Sequence, residues 1–141
     1  MVFSVRTGHT PREASKEEIH EFIKVVSEIG LRIKQAGFDM VEIHAAHGHL
    51  LSSWLSPYTN RRTDEYGGSA AKRARFICEM VEGIKAKTGA DFPVSVRFNG
   101  ADYVAGGTTI EDAIVQAKAF EEAGADLGLA DYSPEELLRV L

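Results

Sequence analysis

A single cysteine, Cys78, is the entire thiol content of the 141-residue chain. That excludes an internal disulfide, and no metal-ligand spacing surrounds it. It lies in the apolar helical run RFICEMV and reads as a buried core thiol. Blocks of like charge are also missing. The 21 acidic and 16 basic residues are interleaved and give a net charge of −5, which offers little footprint for nucleic acid or an anionic membrane. No apolar run approaches the ~20 residues of a membrane span. The N-terminal stretch MVFSVRTGHTPREAS has neither an apolar h-region nor a small-residue cleavage site, so a cytoplasmic location is expected. A glycine-rich phosphate loop is absent too, VAGGTT before a helix being too weak a signal for one. What remains is an ordinary globular composition, 44% hydrophobic and 26% charged. It predicts one packed domain with a small-molecule or protein partner.

The chain repeats one local grammar. From Ser15, the residues Ile19, Phe22, Ile23, Val26, Ile29 and Ile33 fall on one helical face. Ser15 and Glu18 form a capping box, and Gly37 stands where a left-handed C-cap residue is wanted. The short apolar run from Asp39 to His44 reads as a strand of a parallel sheet covered on both faces. A second helix, SAAKRARFICEMVEGIKAKTG, ends at Gly89 and leads to a strand from Phe92 to Phe98. A third, with Thr108 and Glu111 as its capping box, ends at Gly124 before a weak strand, LGLAD. Three times the helix closes on Gly, any residue, Asp. Helices alternating with short apolar strands across such turns predict β-α-β units and an α/β fold with about three parallel strands and four helices. Ser133, Pro134 and Glu136 mark a last helix start. A complete eight-fold barrel needs ~250 residues, so the chain is either a small open α/β sheet or a barrel segment.

One connection is out of scale with this punctuation, the stretch from Ala45 to Gly68. Loops longer than ~15 residues inside compact domains are usually functional or disordered, and Trp54, Tyr58 and Tyr66 argue for order. HLLSSWL within it can form a short helix.

Strand alternation puts Glu42 and His44 on one face, and Ser95 and Arg97 on one face of the next strand. If those faces turn inward together, the four converge in one layer. There Arg97 and Glu42 offset each other's burial and Arg97 keeps donors for a ligand. A purely structural Glu42–Arg97 pair is the plainer alternative. Just beyond the strand end come His44, His47 and His49, at the end of parallel strands where α/β proteins bind ligands. They can be unremarkable surface residues, a three-histidine zinc site suited to hydrolysis, or hydrogen-bond donors to a substrate oxygen. The absence of a carboxylate in the immediate turn weakens the metal reading, and donation to a substrate oxygen leads.

These residues also carry a likeness. GFDMVEIHAAHGHLLSSWLSPYTNRRTDEYGGS followed by RARF resembles the Old Yellow Enzyme family, the FMN-dependent NAD(P)H:flavin oxidoreductases. TPRE, FPVSVRFNGADYVAGG and EEAGAD extend the likeness from about Thr10 to Asp126, with residues 127–141 divergent. It is most similar to the bacterial branch that includes 2,4-dienoyl-CoA reductases and related ene-reductases.

The resemblance implies a segment of a (β/α)8 TIM barrel, about its fourth through sixth strands. It implies FMN as cofactor with NAD(P)H as reductant, and a hydride passed to the β-carbon of an α,β-unsaturated carbonyl compound. His44 and His47 match the pair that holds the carbonyl oxygen, and a helical turn after the strand would bring both rings to one side. Arg97 matches the arginine beside the flavin N1 and O2. Where many members read HGYL this chain reads HGHL, so His49 stands in place of the proton-donating tyrosine. Ordinary imidazole titrates near ~6.5, so an activity using it falls as pH rises through that region. The second departure is GGSAAKRARF, where the family usually has Leu-Glu-Asn before the first arginine, and Ala70, Ala71 and Lys72 carry no assigned consequence. By the resemblance the phosphate-binding loops belong to the seventh and eighth strands. The chain is therefore expected to be competent only when the rest of the barrel is supplied, by a homo-oligomer or a complementary barrel chain. The alternatives are a non-catalytic barrel fragment that folds by self-association and a metal hydrolase built on the histidine cluster.

Overall fold

A computed structural model describes residues 12–131. The helix expected from Ser133 lies outside the described residues. Helix α1 (Lys16–Gln35) leads to strand β1 (Val41–Ala45), the short helix α2 (Ser52–Leu55), helix α3 (Ala70–Thr88), strand β2 (Val94–Asn99), helix α4 (Ile110–Glu122) and strand β3 (Leu127–Asp131). The three strands are parallel in the order β1-β2-β3. Among the described residues, α1, α3, α4 and the three parallel strands are those the alternating pattern predicts, and α2 is the short helix expected within HLLSSWL.

The helix ends explain why the elements fall where they do. Ser15 accepts from the Glu18 amide while Glu18 accepts from the Ser15 amide, so the capping box closes both ways. Arg12 pairs with Glu18 at 2.5 Å and, with the Ser15 amide, pulls that carboxyl down to about 2. Ser69 caps α3 through the Lys72 amide. Gly37, Gly89 and Gly124 all have left-handed φ, between 86° and 97°, where a Cβ would be strained. The cap of α4 is Thr109, whose Oγ1 accepts from the Asp112 amide, rather than Thr108. Thr108 is unavailable because its main-chain amide donates to Asp102 Oδ2 at 2.7 Å and its carbonyl accepts from the Asp102 amide at 3.0 Å.

Helix α1, ahead of β1, packs against α3, the long helix of the β1–β2 crossover, and α3 also packs on α4. Ile43, Ala45, Val94, Val96 and Phe98 join Ile77, Met80, Val81, Ile84 and Phe120 from α3 and α4 in one apolar core. Phe98 meets Phe120 edge to face at 5.4 Å. The apolar face of α1 is wider than its contact with α3, so Phe22 and Ile29 remain exposed although their period matches Ile19 and Ile23. Cys78 is half-buried rather than fully enclosed. Burial still pushes its thiol up to about 12.

The long connection after β1 is ordered by hydrogen bonds from side chains to the main chain. Asn60 Nδ2 donates to the carbonyls of Trp54 at 2.7 Å and Tyr66 at 2.8 Å, and its Oδ1 accepts from the Arg62 amide. Arg62 forks onto Asp64, donates to the Ala14 carbonyl and lies over the Trp54 ring. That guanidinium lowers the Asp64 carboxyl. Buried Arg73 donates to the Leu55 and Gly68 carbonyls and pairs with Asp112 at 3.0 Å. Trp54 and Tyr66 rest on Phe76, and Tyr66 is buried, its hydroxyl pushed up to about 12 by burial and Glu79. Tyr58 is exposed, contrary to a role as an anchor.

Candidate active site

Alternation divides the sheet into two faces. Opposite the helices, the register aligns Glu42, Ser95 and Leu127 in one row and His44, Arg97 and Leu129 in the next. Asn99 stands at the C-terminal end of the same face. Glu42, Ser95, His44 and Arg97 therefore share one face of the sheet, in two successive rows rather than one layer. Ser95 Oγ donates to Glu42 Oε2 at 3.4 Å, which satisfies a fully buried hydroxyl beneath an exposed carboxylate. Arg97 is half-buried in the central strand, and Leu127 and Leu129 are exposed beside it.

The three histidines gather around His44. Its ring centroid is 5.1 Å from that of His47 and 5.1 Å from that of His49. No helical turn brings them together. The strand ends at Ala45, and the chain reverses through His47 with φ 60° and Gly48 with φ 70°. A non-glycine residue in that region costs roughly 1–3 kcal/mol and needs surroundings that hold it there. Asn99 Oδ1 supplies part of that hold by accepting from the His47 amide at 3.0 Å. His49 closes the turn by donating its amide to the Ala46 carbonyl. Among the described residues no group of three or more His, Cys, Asp or Glu side chains is placed to hold a metal ion.

Sequence reasoning missed Asn99 and Asp102. Asn99 Nδ2 donates to Asp102 Oδ1 at 3.1 Å. Burial pushes the Asp102 carboxyl up, but hydrogen bonds from Ser56, Thr108 and Asn99 outweigh it and leave that carboxyl below its ordinary value. The available signal was the period of two that extends Ser95 and Arg97 to Asn99.

The model of the NADH:flavin oxidoreductase / NADH oxidase family matches residues 3–137. The chain belongs to that family. The match runs beyond Asp126 into the stretch whose sequence looked divergent. Among curated relatives, the NADH oxidase of Thermoanaerobacter brockii is 45% identical over 83% of this chain and 18% of that protein. The NADPH dehydrogenase of Geobacillus sp. (strain WCH70) is 43% identical over 89% of this chain and 36% of that protein. The chain thus spans about a third or less of these relatives' length. A solved structure of 2-naphthoyl-CoA reductase with 2-naphthoyl-CoA superposes with a TM-score of 0.77 at 37% identity, covering 86% of this chain and 19% of that one. Morphinone reductase in complex with tetrahydroNAD gives 0.74 at 34% identity, covering 87% and 34%. Against these Old Yellow Enzyme barrels the present chain is a partial barrel segment. No helix among the described residues is long and apolar enough to cross a membrane.

Proposed function

We propose that this chain is the carbonyl-anchoring segment of an FMN-dependent NAD(P)H oxidoreductase acting on α,β-unsaturated carbonyl compounds, competent when the rest of the barrel is supplied. The observation that carries it is the ring of His44 flanked by His47 and His49, in one row with Arg97 at the open face of the sheet. His44 and His47 donate ring N–H groups to the carbonyl oxygen and stabilise the negative charge that develops there. His49, whose ring also lies 5.1 Å from that of His44, carries the proton delivered to the substrate α-carbon.

The residues present suit FMN. A half-buried guanidinium beside exposed Leu127 and Leu129 matches a flat group with a negatively charged edge, so Arg97 would hold that edge over an apolar floor. Bound FMN supplies the two-electron chemistry, with NAD(P)H as the reductant. Glu42 and Ser95 lie one row below on the same face, bonded to each other.

Titration of the chain into FMN, followed by flavin absorbance and by sedimentation, tests this. Saturable one-to-one binding by a defined oligomer is expected, with enone reduction lost in His44→Ala and His47→Ala. A chain that sediments as a defined species and leaves the flavin spectrum unchanged at all concentrations would instead be a non-catalytic fragment.

A further inference from the structure

Resting on the reading of His47 as a carbonyl anchor, we infer that Asn99, backed by Asp102, is a positioning residue that locks the His47 turn and so sets the His47 ring against His44. The two ends of the Asn99 amide have different tasks. Its oxygen accepts from the His47 main-chain N–H at 3.0 Å, and its nitrogen donates to Asp102 Oδ1 at 3.1 Å. Turned over, the amide would oppose donor to donor at His47 and oxygen to carboxylate at Asp102, so the pair of contacts fixes one orientation. Aspartate at this position would set two carboxylates face to face, and alanine would leave the His47 amide without this acceptor.

Asp102 is itself built in. Its second oxygen accepts from the Thr108 amide at 2.7 Å, and its main-chain amide donates to the Thr108 carbonyl at 3.0 Å. The loop closes over it only with glycine at position 107, where a Cβ would stand 2.7 Å from Asp102 Cβ. The loop after β2 thereby reaches through Asn99 into the loop after β1. The turn it holds has left-handed φ at His47, a conformation that a β-carbon-bearing residue rarely adopts unaided. Asn99 meets His47 at its main-chain amide and acts through that residue.

Heteronuclear NMR on the labelled full chain tests this without flavin or substrate. In the unsubstituted protein a scalar coupling across the hydrogen bond from the His47 amide nitrogen to Asn99 Cγ is expected, with cross peaks between the His44 and His47 rings. Asn99→Ala is expected to speed exchange of the His47 amide by about tenfold or more and to remove the ring cross peaks, while the ladder amides of Val96 and Arg97 keep their protection. The exchanged pair, Asn99→Asp with Asp102→Asn, puts an acceptor under His47 and an amide beside it, and is expected to restore the cross peaks. Absence of the coupling in the unsubstituted protein, or ring cross peaks that survive in folded Asn99→Ala, would overturn the inference. If Asn99→Ala does not fold, the coupling and the exchanged pair decide. Failure to bind FMN would sink the proposed function and leave these readings untouched.

Discussion

The two faces of the one sheet differ in what they ask of their residues. Toward the helices, Ile43, Ala45, Val96 and Phe98 are apolar, buried and interlocked with α3 and α4. Toward the other side, the same strands present Glu42, His44, Arg97 and Asn99 beside Leu127 and Leu129, mostly open. The apolar packing belongs to the first face and most of the polar side chains to the second, and residues adjacent in sequence lie on opposite faces. A strand covered on both sides by apolar partners would show no such split.

The contrast can be broken by substitution. Phe98→Ala removes a ring packed on Phe120 and is expected to cost about 3–5 kcal/mol in urea denaturation. His44→Ala, one strand away on the open face, is expected to stay within about 0.5 kcal/mol of the parent. Equal losses would mean the open face is also core. Gly67→Ala sharpens the role of the loop between the faces. A Cβ there would lie 2.1 Å from the Arg62 carbonyl oxygen, and a main-chain atom cannot swing aside. We expect a loss of about 1–3 kcal/mol, read from thermal unfolding, with the strand ladder intact. An unchanged melting temperature would show that the approach is looser than described.

The smallest effect is one of pH. Asp102 has its carboxyl held below its ordinary value of 3.8, so its bonds to Ser56, Thr108 and Asn99 contribute stability that is present above that value. That contribution is lost as pH falls through the lower folded value. Asp126 behaves alike through Lys85 and the Val94 amide. Stability should therefore hold from neutrality down to about pH 4 and decline below it, and Asp102→Asn should flatten part of that acid limb. An acid limb identical in the variant would remove Asp102 from the account.

Much of the scaffold was legible because its signals are local. Ser15 with Glu18, and the three glycine turns, need no partner beyond a few residues, and they fixed where α1, α3 and α4 end. The α4 start slipped by one residue because Thr108 is held by Asp102, an interaction no capping pattern contains. The histidine cluster was visible as spacing, but its geometry was not. A left-handed His47 has no sequence signature, and its acceptor, Asn99, lies 52 residues away. The exposed stripe of Phe22, Val25 and Ile29 on α1 has the period of buried residues, and period alone does not say how many neighbours a helix will have.

The way the 46–68 connection is stitched has a consequence for how such a segment can change. Asn60 binds carbonyls six residues before and six residues after it, Thr59 reaches back to Ser53, and Arg62 reaches Ala14. Each stitch measures a span of chain rather than a side-chain type. Tyr58, Arg61 and Thr63 are exposed and none of them makes a stitch, but an insertion or deletion of a single residue between Trp54 and Tyr66 would put out of step at least one of the two six-residue spans that Asn60 bridges. In this stretch, length is more tightly constrained than composition.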